Sequence, residues 1–361
     1  MWQAVTPLMY NGDIMSDDTQ LVRLDVVYES IRQVLDAARR AAYQAVNSAM
    51  VQAYWNVGRI VVDEEQKGEA RAEYGKGLIR ELSVRLRHEF GKGFTVRNLW
   101  YMRSFYSAFP IVHALRAELT WTHYRLLLEV DKPEARGFYL VEAAHNRWST
   151  RELERQINSL LYERLAISKN KDRVLELSTK GLVVAEPKDV IKDPYVLEFL
   201  GLRENRDYLE SDLEQALIDK LQDFLLELGK GFSFVARQRR ITVEGDHFYV
   251  DLVFYNYVLK CFVLIDLKVG KLDHVDIGQM DFYVRYFERE VRLPEDSPTI
   301  GLILCAEKNE AMARYTLLEE SRSIFASKYK LYLPTEEELK DEIEREMSYA
   351  RPALQPKGGS G

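Results

Sequence analysis

The chain of 361 residues contains only two cysteines, Cys261 and Cys305. Both fall in apolar, strand-like runs, where a thiol behaves as a small hydrophobe, so neither a disulfide framework nor a cysteine metal site is suggested. No apolar run approaches the roughly eighteen residues that a bilayer-spanning helix requires. The N-terminus carries Asp13, Asp17 and Asp18 close behind a short mixed segment, so no secretory signal is expected. These absences leave a cytoplasmic protein with no membrane partner as the expectation. An excess of positive charge is also missing, since the formal net charge is -7. That total conceals local differences. Residues 335–348 hold seven acidic residues against Lys340 and Arg345, a local -5 that leaves the remainder near -2. Residues 80–106 carry six Lys/Arg against Glu81 and Glu89, a local +4.

What is there fits an ordinary globular protein long enough for two domains. From about Leu21 to Leu165 the apolar spacing is helical, with Ile31, Val34, Leu35, Ala38, Ala42, Ala45 and Ala49 tracing one stripe. The central part reads as helix, glycine turn, helix. Gly91 or Gly93 ends the first helix at positive φ, and Thr95 caps the second. A further helix runs from about Thr150 to Ala166. Residues 168–208, with Pro187 and Pro194, show little periodicity and read as a connector.

From Ser211 the pattern becomes a helix to Leu228, then three strands over about 233–243, 248–256 and 261–268. A helix (275–288), a strand (299–305), a helix (310–321), a strand (329–333) and an acidic helix (335–348) follow. The expected organisation is therefore a helical domain over 21–166, a connector over 167–210, a domain with one mixed sheet over 211–348, and a flexible tail over 349–361. The fold class is α+β overall: an all-α N-terminal domain followed by an α/β domain.

Three charges stand where buried strands normally carry none. Asp251 lies inside Phe248-Tyr-Val-Asp-Leu-Val-Phe-Tyr255, and Asp266 and Lys268 end Cys261-Phe-Val-Leu-Ile-Asp-Leu-Lys268. Alternation along a strand puts Asp266 and Lys268 on one face. A hairpin with a two-residue loop at Val258-Leu259 sets Asp251 opposite Asp266, with Cβ atoms roughly 4.5–5.5 Å apart. Two such carboxylates supply hard ligands for Mg²⁺, and the nearby lysine either helps to activate water, if burial lowers its pKa, or stabilises charge at a phosphorane.

Glu214, in line with Leu217, Ile218 and Leu221 on the inward stripe of its helix, is the candidate third carboxylate. Ser211-Asp-Leu-Glu214 also reads as a capping box, which would occupy Glu214 elsewhere. On the helix after the last of these strands, Gln279, Tyr283 and Tyr286 share a polar face that either contacts phosphate or is simply solvated.

In the helical half, the helix after Thr95 offers Arg97, Asn98, Tyr101 and Arg103 near its N-terminus, where a recognition helix makes its contacts. Arg85, Arg87 and Lys92 are candidate phosphate contacts. The competing reading is a bundle helix whose core is Leu99, Met102 and Phe105, with its arginines as ordinary surface.

The order Glu214, Asp251, Asp266-x-Lys268, Gln279-xxx-Tyr283 resembles the PD-(D/E)XK nuclease superfamily. The strings Leu225-Leu-Glu-Leu-Gly-Lys-Gly-Phe232, Phe254-Tyr-Asn256 and Ile277-Gly-Gln-Met-Asp281 are similar to YhcG-type nucleases in particular. So are Leu119-Thr-Trp-Thr-His-Tyr-Arg-Leu-Leu127 and Trp148-Ser-Thr-Arg-Glu-Leu-Glu-Arg-Gln156. Asp in place of the commoner Glu before x-Lys, and the lack of Pro before Asp251, are departures from the superfamily pattern.

The resemblance implies a restriction-endonuclease-like C-terminal domain behind a helix-turn-helix or winged-helix-like one. It also implies Mg²⁺-dependent cleavage of DNA, with Mn²⁺ able to replace Mg²⁺. Asp251 and Asp266 would be metal ligands with Glu214 as the helix carboxylate, Lys268 the catalytic lysine, and Gln279 part of the catalytic set. The expected function is a DNA endonuclease of bacterial DNA processing or defence against foreign DNA, working as a homo-oligomer. A branched-DNA, Holliday-junction-like resolvase and a non-catalytic DNA-binding regulator stay open as alternatives.

Overall fold

The computed structural model describes residues 17–67, 71–111, 115–167, 171–202, 208–307, 323–335, 337–339 and 341. The chain divides into two compact units, Met1–Trp121 and Thr122–Gly361.

The first unit is built on α1 (Asp17–Lys67), α2 (Arg71–Phe90) and α3 (Val96–Ala108). Val61 of α1, Ile79 of α2, and Leu99 and Met102 of α3 meet in one core. At Gly58 α1 crosses α3 so closely that a Cβ would collide with the Met102 carbonyl oxygen, which is why the position needs glycine. The turn between α2 and α3 forms as expected. Gly91 takes φ +90°, and the Thr95 side chain accepts the Asn98 N–H at 3.2 Å as the N-cap of α3. Ser83 of α2 donates to the Phe94 carbonyl at 2.9 Å and fixes that turn. The expected apolar stripe of α1 exists, but between Leu24 and Met50 its large side chains are exposed.

The second unit opens with helices: α4 (Trp121–Leu128, starting at the boundary), α5 (Pro133–His145), α6 (Thr150–Asn158), α7 (Leu161–Ile167) and α8 (Lys171–Lys180). The single helix expected over 150–166 is broken at Leu160, which sits at φ +53°. The stretch read as a connector holds α8 and a two-residue strand, β1 (Tyr195–Val196). Elements this short leave too few turns for periodicity to register.

Next come α9 (Glu210–Asp219), α10 (Leu221–Leu228), β2 (Phe232–Val243), β3 (Asp246–Asn256), β4 (Cys261–Lys271), α11 (His274–Glu290), β5 (Ile300–Glu307) and β6 (Ile324–Lys330). They form one six-stranded sheet in the order β1-β6-β5-β4-β3-β2. Neighbours from β1 to β4 run parallel, and β4, β3 and β2 antiparallel. β6 begins earlier than the strand expected over 329–333. Pairing with β5, where Leu304 faces Ser327, decides the strand despite the polar residues within it. The helix expected over 310–321 and most of the acidic helix over 335–348 lie outside the described residues.

The sheet has two covered faces because its strands alternate. Val263, Ile265 and Leu267 of β4 pack with Leu213, Leu217 and Phe224 of α9 and α10. Leu264 packs with Ile277, Met280 and Phe287 of α11. A buried ion cluster ties α6, α7, α10 and β1 together. Arg164 Nη1 lies 2.5 Å from Glu227 Oε1 and Arg155 Nη1 lies 3.2 Å from Glu227 Oε2, while the Val196 N–H donates to Glu227 Oε1 at 3.0 Å. Cys261 and Cys305 are both buried thiols. Among the described residues no helix is long and apolar enough to cross a membrane.

Candidate active site

The hairpin of β3 and β4 pairs from Asn256 with Cys261 to Leu252 with Ile265. This is the expected register, although residues 257–260 form the turn in place of a two-residue loop. Past Leu252 and Ile265 the ladder ends. There Asp251 Oδ2 accepts the Leu267 N–H at 2.8 Å, so a side chain takes the place of a backbone acceptor. Asp251 is thereby held at the point where the strands stop pairing.

Asp266 is 2% exposed, and its Oδ2 lies 3.0 Å from Lys268 Nζ, as the period-two alternation requires. Burial, reinforced by the nearby charge of Asp251, pushes the Asp266 carboxyl up to about 7. Burial works against the Lys268 ammonium. The ion pair with Asp266 outweighs it, joined by Glu210 at 3.6 Å and Asp276 at 3.8 Å, so the lysine is held above its usual value. Of the two roles the sequence leaves open for Lys268, this environment favours the charged one.

Glu214 is released from capping duty. α9 starts at Glu210, and the Leu209 N–H donates to Asp212 Oδ2 at 2.9 Å, so Asp212 and not Glu214 closes the helix start. Glu214 is buried, and its carboxyl is raised by that burial and by Asp251, against the pull of Gln238 and Arg237. Gln238 is a site residue that the sequence reading did not single out. Its Nε2 donates both to Glu214 Oε2 and to Asp251 Oδ1, the latter at 3.0 Å. Arg237 Nε adds an ion pair to Glu214 Oε1 at 3.2 Å.

A register shift between Phe234 and Ala236, followed by φ +45° at Gln238, aims this amide at the two acids. The available signal was the polar run Arg237-Gln-Arg-Arg240 inside a strand bounded by Phe234 and Ile241. Gln279 donates to the Tyr283 hydroxyl at 2.5 Å, which in turn donates to the Tyr249 carbonyl at 2.8 Å. These two residues come together as expected, and Asp266, Asp251 and Lys268 are close enough to act on Tyr283 electrostatically. The contact Gln279 makes is with Tyr283, not with the Asp266–Lys268 pair.

Asp251 and Asp266 are an acid pair whose mutual repulsion raises one member, with a single lysine as local counter-charge. That is the donor chemistry a hard divalent cation relieves, so the residues fit one. Among the described residues no group of three or more His, Cys, Asp and Glu side chains is arranged to hold a metal ion. Mg²⁺ on two carboxylates would draw its other ligands from water and phosphate, its usual habit.

The basic residues of the first unit divide by environment. Arg87 and Lys92 are exposed around the α2–α3 turn. Arg85 is exposed but pairs with Glu81 at 2.5 Å. Arg97 donates to the Tyr101 hydroxyl at 3.2 Å and lies over that ring at 5.6 Å. Asn98 is engaged internally: its amide donates to the Gly93 carbonyl at 2.6 Å and its Oδ1 accepts the Trp121 indole N–H at 3.0 Å. Arg103 pairs with the mostly buried Glu65 at 2.7 Å and lies over Trp100.

Comparison with known proteins divides the chain later, between residues 164 and 188. A family model described as the YhcG PDDEXK nuclease domain matches residues 188–344, and one described as the DUF1016 N-terminal domain matches residues 30–164. Over 351 residues the chain is 39% identical to an Escherichia coli (strain K12) protein named "Putative nuclease YhcG", covering 88% of this chain and 93% of that protein. Among solved structures, a repair endonuclease from Pyrococcus abyssi matches at 24% identity and a TM-score of 0.26, over 36% of this chain and 50% of that one. A complex of EndoMS with double-stranded DNA matches at 18% identity and a TM-score of 0.26, over 37% and 50% of the two chains. Identity sustained across both halves makes this chain a member of the YhcG family, with a DUF1016 N-terminal domain ahead of a PDDEXK nuclease domain.

Proposed function

We propose that this nuclease is a divalent-metal-dependent DNA endonuclease whose reacting groups are Asp251, Asp266 and Lys268. The observation that carries the reading is the meeting of a buried acid, Asp266, a half-buried one, Asp251, and one ammonium at the point where β3 and β4 stop pairing. Asp251 and Asp266 would hold Mg²⁺ or Mn²⁺, with Glu214 tied to Asp251 through Gln238. When bound, such an ion supplies Lewis-acid polarisation of the phosphate and acidification of water. Lys268, charged and anchored by Asp266, offsets negative charge growing on the phosphorane. Gln238 bridges Glu214 and Asp251 and holds the two carboxylates near one another. Gln279 acts through Tyr283, bracing the α11 side of the site.

In the first unit Arg85, Arg87, Lys92, Arg97 and Tyr101 are the groups we assign to DNA backbone contact, with Asn98 and Arg103 holding α3 in place. A local +4 over residues 80–106 in an otherwise acidic chain supports a polyanion as the partner. Cutting both strands with one site per chain calls for two copies. The bacterial setting is DNA processing or defence against foreign DNA.

Supercoiled plasmid incubated with Mg²⁺ tests the proposal: the wild type nicks it, EDTA stops the reaction, and Lys268→Ala is inert. Equal inertness of wild type and Lys268→Ala on linear, supercoiled and four-way-junction DNA would leave a non-catalytic binding protein. Strong preference for the junction would make the enzyme a resolvase.

A further inference from the structure

Among the described residues, nothing covers the apolar face of α1 from Leu24 to Leu35. Leu24, Val27, Tyr28, Ile31, Val34 and Leu35 are between 47% and 68% exposed. Written as heptads with Leu24 at position a, residues 24–51 place Asp25, Glu29, Arg32, Asp36, Arg39 and Arg40 at positions b, c and f only. Positions a, d, e and g carry no charge at all over four heptads. The charges on the far side also pair among themselves: Arg32 with Glu29 at 3.4 Å and Asp36 at 3.8 Å, and Arg39 with Asp36 at 3.9 Å. A helix sorted this way is built to lie along another helix.

We propose that the partner is a second copy of this chain, packed antiparallel through α1. This deepens the two-copy part of the reading above and does not depend on the chemistry of the site. The seam runs about 40 Å at 1.5 Å per residue. Six large side chains, each about half uncovered, offer on the order of 600 Å² before the alanines are added, close to the ~800 Å² per partner of a standard interface.

Orientation follows from side-chain size. The first two heptads are bulky, and the next two are small, with Ala38, Ala41, Ala45 and Ser48 at a and d. An antiparallel two-fold pair sets Leu24 against Ser48, Val27 against Ala45, Ile31 against Ala41, and Val34 against Ala38. Every layer is then one large and one small residue, and the interhelical distance stays even. A parallel pair would stack large on large at one end and alanine on alanine at the other. The absence of charge at e and g removes any ion-pair code that would enforce the parallel arrangement.

Light scattering on the full chain measures the assembly: two chains for the wild type and one for Ile31→Asp/Leu35→Asp. Both positions are exposed, so circular dichroism of that variant stays unchanged. A monomeric wild type, or a dimer indifferent to the double substitution, overturns the proposal. A spin label on Asp25→Cys reads the orientation, since Cys261 and Cys305 are buried. Antiparallel packing separates the two labels by about 33 Å along the axis. A distance within about 20 Å, set by the ~10 Å spacing of parallel helices, overturns the antiparallel arrangement. Plasmid nicking by the monomeric variant reports on the nuclease reading separately, because it needs one site only.

Discussion

Glu227 and Asp266 are both buried carboxylates of the second unit, and their surroundings differ in kind. Glu227 has Arg164 and Arg155 on its two oxygens and Lys192 on its own carbonyl. Burial alone would raise this carboxyl, but those three cations outweigh it and hold it down at about 2. Asp266 has one lysine, shared with Glu210 and Asp276, and a second acid beside it, so it rises to about 7. A buried charge with its full complement of partners fastens helices to a sheet. A buried acid with a second acid beside it and half a complement of counter-charge has the chemistry that a cation would relieve.

The sharpest way to break this contrast is to remove one charge at each site. Lys268→Ala is expected to lower cleavage by about 10³-fold or more, the scale of a lost transition-state contact, with little change in the unfolding midpoint. Arg164→Met should do the reverse at the level of the fold, because it leaves Glu227 short of a partner inside the protein. Urea titration should show a loss of about 3–5 kcal/mol. If both variants lost only stability, or both only activity, the two clusters would not be different in kind.

Next in size is a difference in pH dependence. The folded value of Asp266 lies above its unfolded one of 3.8, so its contribution to stability is full below pH 3.8 and is lost as pH rises through about 7. Asp266→Asn should therefore stabilise the metal-free protein by on the order of 2 kcal/mol at pH 8, though inactive, and by nearly nothing at pH 4. Glu227 has the opposite sign: its contribution is present above pH 4.5 and is lost as pH falls toward 2. Thermal melts from pH 4 to 8 on wild type and Asp266→Asn check this, and a variant less stable than wild type at pH 8 would contradict it.

The smallest effect is expected at Gln238, which positions Glu214 and Asp251 without carrying charge. Gln238→Ala should cost about 10-fold in cleavage, within the range for a lost supporting hydrogen bond at a metal site, and should weaken metal binding in parallel. Unchanged metal affinity would assign Gln238 a purely structural part.

The meeting of Asp251, Asp266 and Lys268 was legible in the sequence because it depends on short-range rules. The period of two places Asp266 and Lys268 together, and a short hairpin sets Asp251 across from them. The cap at Thr95 and the turn at Gly91 were legible for the same reason. Gln238 was not, since a register shift and one left-handed residue aim it, and neither leaves a mark in the hydrophobic pattern. The Glu227 cluster was hidden by distance along the chain, as its arginines lie 63 and 72 residues away. The α1 stripe was read correctly as a stripe. Its exposure could not be, because periodicity says that a face is apolar and not what covers it.

Calorimetric titration of the metal-free protein with Mg²⁺ and Mn²⁺ at pH 7, in buffers of different ionisation heat, probes the acid pocket directly. Wild type should bind a divalent ion and release a proton as Asp266 ionises, and Asp266→Asn should lose both the binding and the release. Equal binding by the two proteins, or none by the wild type in the presence of cleavable DNA, would contradict the assignment of Asp251 and Asp266 as the ion's holders.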